Sequence, residues 1–352
     1  MKSLIAKATT PERSSKTKKR RTTIASLPAV RNTIQLLVML VLLYTGSTFY
    51  LFVRHFESGG STPFVTRPSL VEGFLPISGL VSLKHLIVNG AFDAVHPAAL
   101  VIFVTIIAMS LLFKKAFCSW LCPVGTVFEW TWRLGRRLLG RNLAIPKPVD
   151  YGLMSIKYLL LAFFIKTIVL DMDGAAIAAF LQSPYNQVVD VKMLYFFTQM
   201  SGGVAVFVVA LFAISAVVQN FWCRYMCPYG ALLGLVSYFS PITVTRDADL
   251  CTGCTMCNRA CPNRIDVAKA ASVESPECTG CLNCVHKCPR KGALDLRLFG
   301  KRAVSGWSFA ALLIATGIVI YVLARATGHW DTSLTYADWL RLIPQPENFS
   351  HF

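Results

Sequence analysis

Long stretches with few or no charged side chains constrain this chain most. Residues 33–53 are 21 consecutive residues without Asp, Glu, Lys or Arg, enough for a helix to cross the hydrocarbon core of a membrane. Four further apolar stretches, 97–113, 151–170, 204–221 and 304–323, predict similar helices. The chain is 54% hydrophobic and 15% charged, whereas soluble globular proteins carry about 25% charged residues. We therefore predict about five membrane spans and exclude a disordered chain or an ordinary soluble enzyme.

Two other apolar segments are less regular. Residues 73–92 are interrupted by proline and glycine and contain a lysine and a histidine, and residues 175–187 are too short to span. We expect both to be interfacial or re-entrant. Lys157 and Lys166 lie inside the third long stretch and are expected to extend to the two membrane interfaces.

The positive charge is distributed unevenly along the chain. Lys and Arg number 35 against 18 Asp and Glu, giving a net charge of +17. With the N-terminus inside, the inner segments 1–32, 114–150 and 222–302 hold 27 of the 35 basic residues. The positive-inside rule then predicts a bacterial inner-membrane protein with its N-terminus in the cytoplasm and its C-terminus in the periplasm. The basic residues form no single stripe, so the bilayer is the expected partner and nucleic acid is not.

Eight cysteines mark a soluble insert at residues 238–302. The pattern Cys-x2-Cys-x2-Cys-x3-Cys-Pro occurs twice, at Cys251, Cys254, Cys257 and Cys261 and at Cys278, Cys281, Cys284 and Cys288. This is the bacterial spacing for [4Fe-4S] ligation, in which the fourth cysteine of each run ligates the cluster of the other run. We assign Cys251, Cys254, Cys257 and Cys288 to one cluster and Cys278, Cys281, Cys284 and Cys261 to the second.

The insert is therefore predicted to be a small cytoplasmic two-cluster ferredoxin-like α+β domain. Disulfides do not suit a reducing compartment, and zinc ligands usually come as two separated pairs. Gly253 and Gly280 occupy matching positions, where backbone N–H groups can approach sulfur. So short a segment has little apolar core of its own, so we expect it to be largely unfolded without iron.

The remaining four cysteines form a second repeated motif. Cys-x3-Cys-Pro-x-Gly occurs at Cys118 and Cys122 and again, 105 residues later, at Cys223 and Cys227. Each copy follows a predicted helical hairpin of the same sense, which predicts two parallel repeats. Residues i and i+4 share one face of a helix, so two facing pairs could bind a further iron–sulfur cluster or a thiophilic metal. Redox-active dithiols and buried cysteines that act as small apolar residues are the alternatives.

The histidines do not favour haem. None lies near the middle of a predicted span, where facing axial ligands would be needed. His96 is a candidate for contact with a quinone head group, but an interfacial capping role is favoured, and His286 is expected to face solvent. The other histidines are placed at or beyond the outer interface: His55, His85, His329 and His351.

The twelve cysteines in this order resemble the NapH/MauN/YccM/NosR-type membrane polyferredoxin family. The resemblance covers roughly residues 33–325. It implies an electron carrier that links a quinol or a cytoplasmic donor to periplasmic redox enzymes or to their maturation. It also implies that Cys118, Cys122, Cys223 and Cys227 are redox-active pairs. The chain lacks the large periplasmic flavin-bearing domain of NosR, so we expect any periplasmic redox partner to be a separate chain.

The expected architecture is mostly α: an integral membrane bundle of about five spans in two parallel hairpin repeats, with the ferredoxin-like insert. The predicted domains are a basic cytoplasmic tail (1–32), the bundle (33–237), the two-cluster domain (238–302), a final transmembrane helix (303–325) and a periplasmic tail (326–352).

We expect a membrane-bound iron–sulfur electron-transfer protein with two [4Fe-4S] clusters, a candidate third site and quinone as a candidate cofactor. The sequence has no nucleotide-binding glycine loop and no convergent carboxylate pair, which favours a component over a self-contained enzyme. Two alternatives are a copper reductase or maturation factor that uses thiols or iron–sulfur groups, and a redox-sensing regulatory membrane protein.

Overall fold

The computed structural model describes residues 16–345, and it describes side chains from residue 27 onward. Most of the predicted N-terminal tail, part of the C-terminal tail and His351 lie outside this range. The helices are α1 Lys16–Glu57, α2 Pro76–Asn89, α3 Pro97–Phe113, α4 Ala116–Trp120, α5 Pro123–Leu139, α6 Lys147–Phe164, α7 Gly174–Gln182, α8 Pro184–Gln187, α9 Val189–Thr198, α10 Gly202–Val217, α11 Pro228–Ser237, α12 Met256–Ala260, α13 Asn283–Lys287, α14 Gly306–Ala326 and α15 Tyr336–Leu342. The strands are β1 Ile242–Arg246, β2 Leu294–Leu298 and β3 Arg302–Ala303.

Fewer helices are long enough to span a membrane than the sequence predicted. Within residues 16–345, three are long and apolar enough: Leu27–Glu57 of α1, α6 with its π-helical continuation to Asp171, and α14. A fourth span is possible if α9 and α10 form one, but they meet at a bend of 78°. Helix α3 has only 17 residues. The predicted number of five spans is therefore not obtained by helix length and composition.

The two segments predicted to be interfacial or re-entrant form short helices. Helix α2 has 14 residues and α7 has 9, both below the length that crosses a bilayer. They pack against each other. The Lys84 ammonium on α2 donates to the carbonyls of Ile168 and Val169, at 3.1 and 2.9 Å. A long polar side chain thus satisfies backbone acceptors near the end of the α6 span.

A buried ionic network holds the end of the bundle opposite the insert. Arg67 lies 2.9 Å from Glu72 and 2.7 Å from Asp190. His96 is fully buried, with Nδ1 3.3 Å from Glu72 and Nε2 2.7 Å from the Asn186 carbonyl. It makes no side-chain capping bond to α3. The predicted interfacial capping role of His96 is therefore wrong, because its ring is used to pair buried groups.

The insert is an antiparallel three-stranded sheet with two short helices, built directly onto the bundle. The strand order is β1-β2-β3, with Ile242 opposite Leu298 and Arg246 opposite Leu294. Its apolar side chains share one core with the adjacent ends of α1, α3 and α14 and with α4. Members of this common core include Leu27, Phe113, Trp120, Val244, Leu282, Leu296, Phe309 and Leu313. The insert therefore gains from the membrane helices the apolar contacts that its own length cannot supply.

Candidate metal centres

Four cysteines drawn from both runs surround a cavity at the exposed end of the insert, here called the distal cavity. Its sulfur-bearing residues are Cys251, Cys254, Cys257 and Cys288. The Cys254 residue is exposed. Gly253 has φ +68°, in the left-handed region that favours glycine, and a hydrogen bond from its backbone N–H lowers the pKa of Cys251.

The other four surround a second cavity nearer the bundle, here called the inner cavity. Its sulfur-bearing residues are Cys261, Cys278, Cys281 and Cys284. Its walls are largely apolar, and Cys284 is buried. Each set of four cysteines that the spacing predicted thus lines one cavity, with the fourth cysteine contributed by the other run.

Local backbone geometry explains this exchange. Helices α12 and α13 each begin after a residue in the left-handed conformation, Thr255 at φ 56° and Leu282 at φ 58°. Each ends at a cysteine in extended conformation, Cys261 or Cys288, and proline follows. A residue before proline disfavours the helical conformation, so the chain must leave the helix there. The fourth cysteine is thereby directed away from its own run.

The donor chemistry of both cavities fits iron–sulfur clusters. Thiolates are the usual ligands of such clusters, and each cavity presents four cysteines. In the inner cavity, burial raises the pKa of Cys261 to about 12 and raises the pKa of Cys278 and Cys284. Four thiolates therefore need a compensating cationic group there, which iron provides.

The Cys-x3-Cys-Pro motifs break a helix where a continuous one was expected. Cys122 caps α5 in extended conformation, and its Sγ accepts the Gly125 N–H at 3.4 Å. Cys227 caps α11 in the same way and accepts the Gly230 N–H at 3.2 Å. The proline occupies the first helical position, where its missing N–H costs nothing. The prediction that each pair shares one face of a single helix is wrong, since each second cysteine begins a new helix.

The structure nevertheless brings the two motifs together at the boundary between bundle and insert. Cys118, Cys223 and Cys227 line one cavity, here called the interfacial cavity, and Cys281 of the insert lines it too. The charge of Cys122 raises the pKa of both Cys118 and Cys223, so its sulfur lies close by. Burial is the largest cause of the raised pKa of all four thiols, to about 11 for Cys122.

A buried carboxylate beside this cavity joins the insert to a membrane helix. Glu277 Oε1 lies 2.6 Å from Lys157 Nζ of α6, and Oε2 lies 3.5 Å from Lys115 Nζ. Lys157 is fully buried, so the prediction that it extends to an interface is wrong, whereas Lys166 is exposed and pairs with Asp171. Burial raises the pKa of Glu277, but the charges of Lys115 and Lys157 outweigh it and lower the pKa to about 2.

A second ionic group closes the same cavity from α1. Arg31, which is 1% exposed, pairs with Glu129 at 2.7 Å and donates to the Cys281 carbonyl at 3.4 Å. Gln35 donates to the other oxygen of Glu129 at 2.9 Å. None of Arg31, Glu129, Lys115 and Glu277 was predicted from the sequence to belong to the site. A usable signal was present for two of them, since Lys115 lies three residues before Cys118 and Glu277 immediately precedes Cys278.

Single-ion sites are a separate question from clusters. In the described part of the chain, no three His, Cys, Asp or Glu side chains converge closely enough to bind one metal ion. The ligands of a four-iron cluster stand further apart than those of one ion. The sulfur-lined cavities therefore suit clusters better than single ions.

Comparison with known proteins agrees with this chemistry. A family model described as "4Fe-4S binding domain" matches residues 95–142 and 201–244, and one described as "4Fe-4S dicluster domain" matches residues 243–289. The chain is 43% identical over 327 residues to YccM of Escherichia coli K12, which is named as a putative electron transport protein, and the match covers 91% of each chain.

More distant relatives carry related names. The ferredoxin-type protein NapH of Escherichia coli K12 is 27% identical, over 62% of this chain and 69% of NapH. The methylamine utilization ferredoxin-type protein MauN of Methylobacillus flagellatus is 25% identical, over 59% of this chain and 69% of MauN. No solved structure matches the chain. These findings confirm the family inferred from the sequence: the chain belongs to the membrane polyferredoxin family, whose members are ferredoxin-type electron transport proteins with 4Fe-4S domains.

Proposed function

We propose that this chain is a membrane-bound electron carrier whose distal and inner cavities each hold one [4Fe-4S] cluster. Cys251, Cys254, Cys257 and Cys288 would ligate the first, and Cys261, Cys278, Cys281 and Cys284 the second. The interfacial cysteines would form a third redox site. When bound, the clusters supply one-electron redox chemistry, and the protein sets their positions and potentials.

The observation that carries this proposal is the shared position of Cys281. Its residue lines both the inner and the interfacial cavity. The distal and inner cavities are in turn linked by the exchange of Cys261 and Cys288 between the runs. Three sulfur-lined sites therefore follow one another from the exposed end of the insert to the bundle, an order that suits a conduit.

Charged side chains of this protein support anionic sulfur along that order. The Lys115 charge lowers the pKa of Cys118, Cys223 and Cys278, against the opposing effect of burial. The Gly280 N–H makes a hydrogen bond that lowers the pKa of Cys278 in the same way. These groups would favour thiolates and would tune the potential at the inner and interfacial cavities.

We place the insert in the cytoplasm and the opposite end of the bundle in the periplasm. The uneven distribution of Lys and Arg supports this orientation. Electrons would enter from a cytoplasmic carrier or a quinol and pass to a separate redox partner chain. The names of YccM, NapH and MauN support electron transport in general, and direction of flow is part of the proposal.

The test is anaerobic purification with iron and acid-labile sulfide analysis, followed by EPR during stepwise reduction. Two clusters predict about eight irons per chain. A larger amount that returns to about eight in a Cys118→Ser/Cys223→Ser variant would place a further cluster at the interfacial cavity. A folded, colourless and iron-poor protein would contradict the proposal.

A regulatory role is the second candidate, because the relative NosR of Pseudomonas aeruginosa is named a regulatory protein. It predicts that deletion changes gene expression without changing electron flux through any respiratory branch. Copper reduction at the interfacial thiols receives less support, since no single-ion site is found among residues 16–345. Retention of copper by purified protein, lost on substitution of Cys118 and Cys223, would favour it instead.

A further inference from the structure

The distal cavity opens directly onto solvent, unlike the inner cavity. Cys254 is exposed, as are Thr252 and Thr255 beside it. Gly280, on the inner run, instead lies against Phe113 and Phe309 of the bundle, where an added Cβ would be 3.3 Å from each. The distal cavity is therefore the end of the insert at which another protein can approach a sulfur ligand most closely.

Exposed basic side chains surround this opening. Arg290 lines the cavity together with Arg246, Lys287 precedes the ligand Cys288, and Arg259 lies on α12. Arg259, Lys287 and Arg290 form no ion pair with any residue in the described range. Two carboxylates lie at one side, but Asp247 accepts the backbone N–H groups of Asp249 and Leu250, at 3.0 and 3.3 Å.

Two exposed apolar side chains complete the surface. Leu250 is 49% exposed and Met256 is 41% exposed, and each lies next to a cavity-lining residue in the sequence. We call the set Leu250, Met256, Arg259, Lys287 and Arg290 the distal face. A small apolar contact with a charged rim is the pattern of weak, transient redox encounters, in which charge steers association.

We propose that the distal face is the docking surface for a small soluble one-electron carrier protein with an acidic face. The inference rests on the proposed electron-transfer function and names the class of donor. One electron would leave the reduced carrier and be accepted by the oxidised protein, with no bond made or broken. Opposite charges would raise the rate of encounter and bring the carrier's redox centre toward Cys254.

Membrane topology and lipid binding also place basic residues on an inner loop, but each predicts a different distribution. The positive-inside rule accounts for basic residues anywhere on such a loop, including the exposed pair Lys301 and Arg302 on the β2–β3 hairpin. Anionic lipid would be expected to meet the end of the insert that touches the bundle rather than the distal face. The pair Lys301 and Arg302 therefore provides a matched control of equal charge at another place on the same domain.

The experiment measures electron transfer from an acidic flavodoxin, photoreduced under anaerobic conditions, to the purified cluster-loaded protein by stopped-flow absorbance. Three forms are compared: the unaltered protein, Lys287→Gln/Arg290→Gln, and Lys301→Gln/Arg302→Gln. Iron content and EPR spectra establish that all three carry the same clusters. A second reductant, the cationic methyl viologen radical, reports cluster reduction without favourable steering by basic residues.

We expect the second-order rate with flavodoxin to fall steeply with salt in the unaltered protein and in the control. In Lys287→Gln/Arg290→Gln it should be about tenfold lower at low salt and should lose most of its salt dependence. Reduction by methyl viologen should not slow. Equal flavodoxin rates in the two variants, or loss of binding to anionic vesicles in Lys287→Gln/Arg290→Gln alone, would overturn the docking surface. Failure of methyl viologen to reduce any form would overturn the proposed function instead.

Discussion

The ammonium of Lys157, buried in helix α6, lies 2.6 Å from the carboxylate of Glu277, the residue immediately before Cys278. The two residues are 120 positions apart in the chain. This pair fixes the second cysteine run against a membrane helix and places its charge beside the interfacial cavity. The insert is thus a part of the bundle's structure and not a domain on a flexible tether.

Glu277→Gln should weaken this attachment, because it leaves the buried Lys157 ammonium without its carboxylate. Loss of one partner of a buried ion pair costs about 3 to 5 kcal/mol. The expected result is a lower thermal midpoint and faster proteolysis within residues 238–302. Lys157→Met added to Glu277→Gln should restore part of the loss, since no unpaired charge then remains on α6.

Asp171→Asn is the matched control for that prediction. It breaks the Lys166–Asp171 pair, which is exposed, and exposed pairs contribute little. Its thermal midpoint should stay close to that of the unaltered protein. If Glu277→Gln behaves like Asp171→Asn, the buried pair does not hold the insert.

The glycines that lie two residues after the first cysteine of each run should differ in their tolerance of alanine. Both have positive φ, so each substitution carries a backbone strain of about 1 to 2 kcal/mol. At Gly253 an added Cβ meets nothing within 4 Å, but at Gly280 it meets the Phe113 carbonyl and the Phe309 ring at 3.3 Å.

Gly280→Ala should therefore lose more stability than Gly253→Ala and should loosen the insert from the bundle. Limited proteolysis and thermal unfolding measure this difference. Equal effects of the two substitutions would mean that the contact with Phe113 and Phe309 is not close.

The two Cys-x3-Cys-Pro motifs should also respond unequally to alanine at their glycines. A Cβ at Gly125 would overlap the Cys118 carbonyl oxygen, whereas one at Gly230 would lie 3.5 Å from the Cys223 carbonyl oxygen, an ordinary contact. Gly125→Ala should separate Cys118 from Cys122 and expose them, and Gly230→Ala should be tolerated. Maleimide labelling of the interfacial thiols would report the change, and comparable labelling of both variants would contradict it.

Iron removal should affect the insert more than the bundle. Chelation under reducing conditions removes the cationic groups that the inner thiols need, while α1, α3 and α14 keep their own apolar packing. We expect protease sensitivity to rise within residues 238–302 while the helical circular dichroism is largely retained. Unchanged protease resistance in an iron-free protein would show that the shared apolar core alone holds the insert.

Sequence reasoning succeeded where the chemistry depends on local spacing. The two ferredoxin runs indicated which cysteines would share a cavity, because the Cys-Pro turn is a short-range effect that spacing encodes. Gly253 and Gly280 were noted for the same reason. The helix break at Cys122 and Cys227 was missed, although proline at the first helical position is a recognised signal for a helix start.

Long-range contacts could not be predicted in this way. Neither Lys157 nor Glu277 has a local pattern that names the other, and an isolated lysine in a span is equally consistent with an interfacial position. The burial of His96 likewise depends on Glu72 and Asn186 from other elements. The number of spans was overestimated because hydropathy does not report a bend such as that between α9 and α10.

The most direct test of the two-cluster arrangement is EPR of the fully reduced protein in single cysteine variants. The exchange of fourth ligands predicts that Cys261→Ser alters the same signal as Cys278→Ser, and that Cys288→Ser alters the same signal as Cys251→Ser. If Cys261→Ser instead changes the signal that Cys251→Ser changes, each run ligates its own cluster and the arrangement described here is wrong.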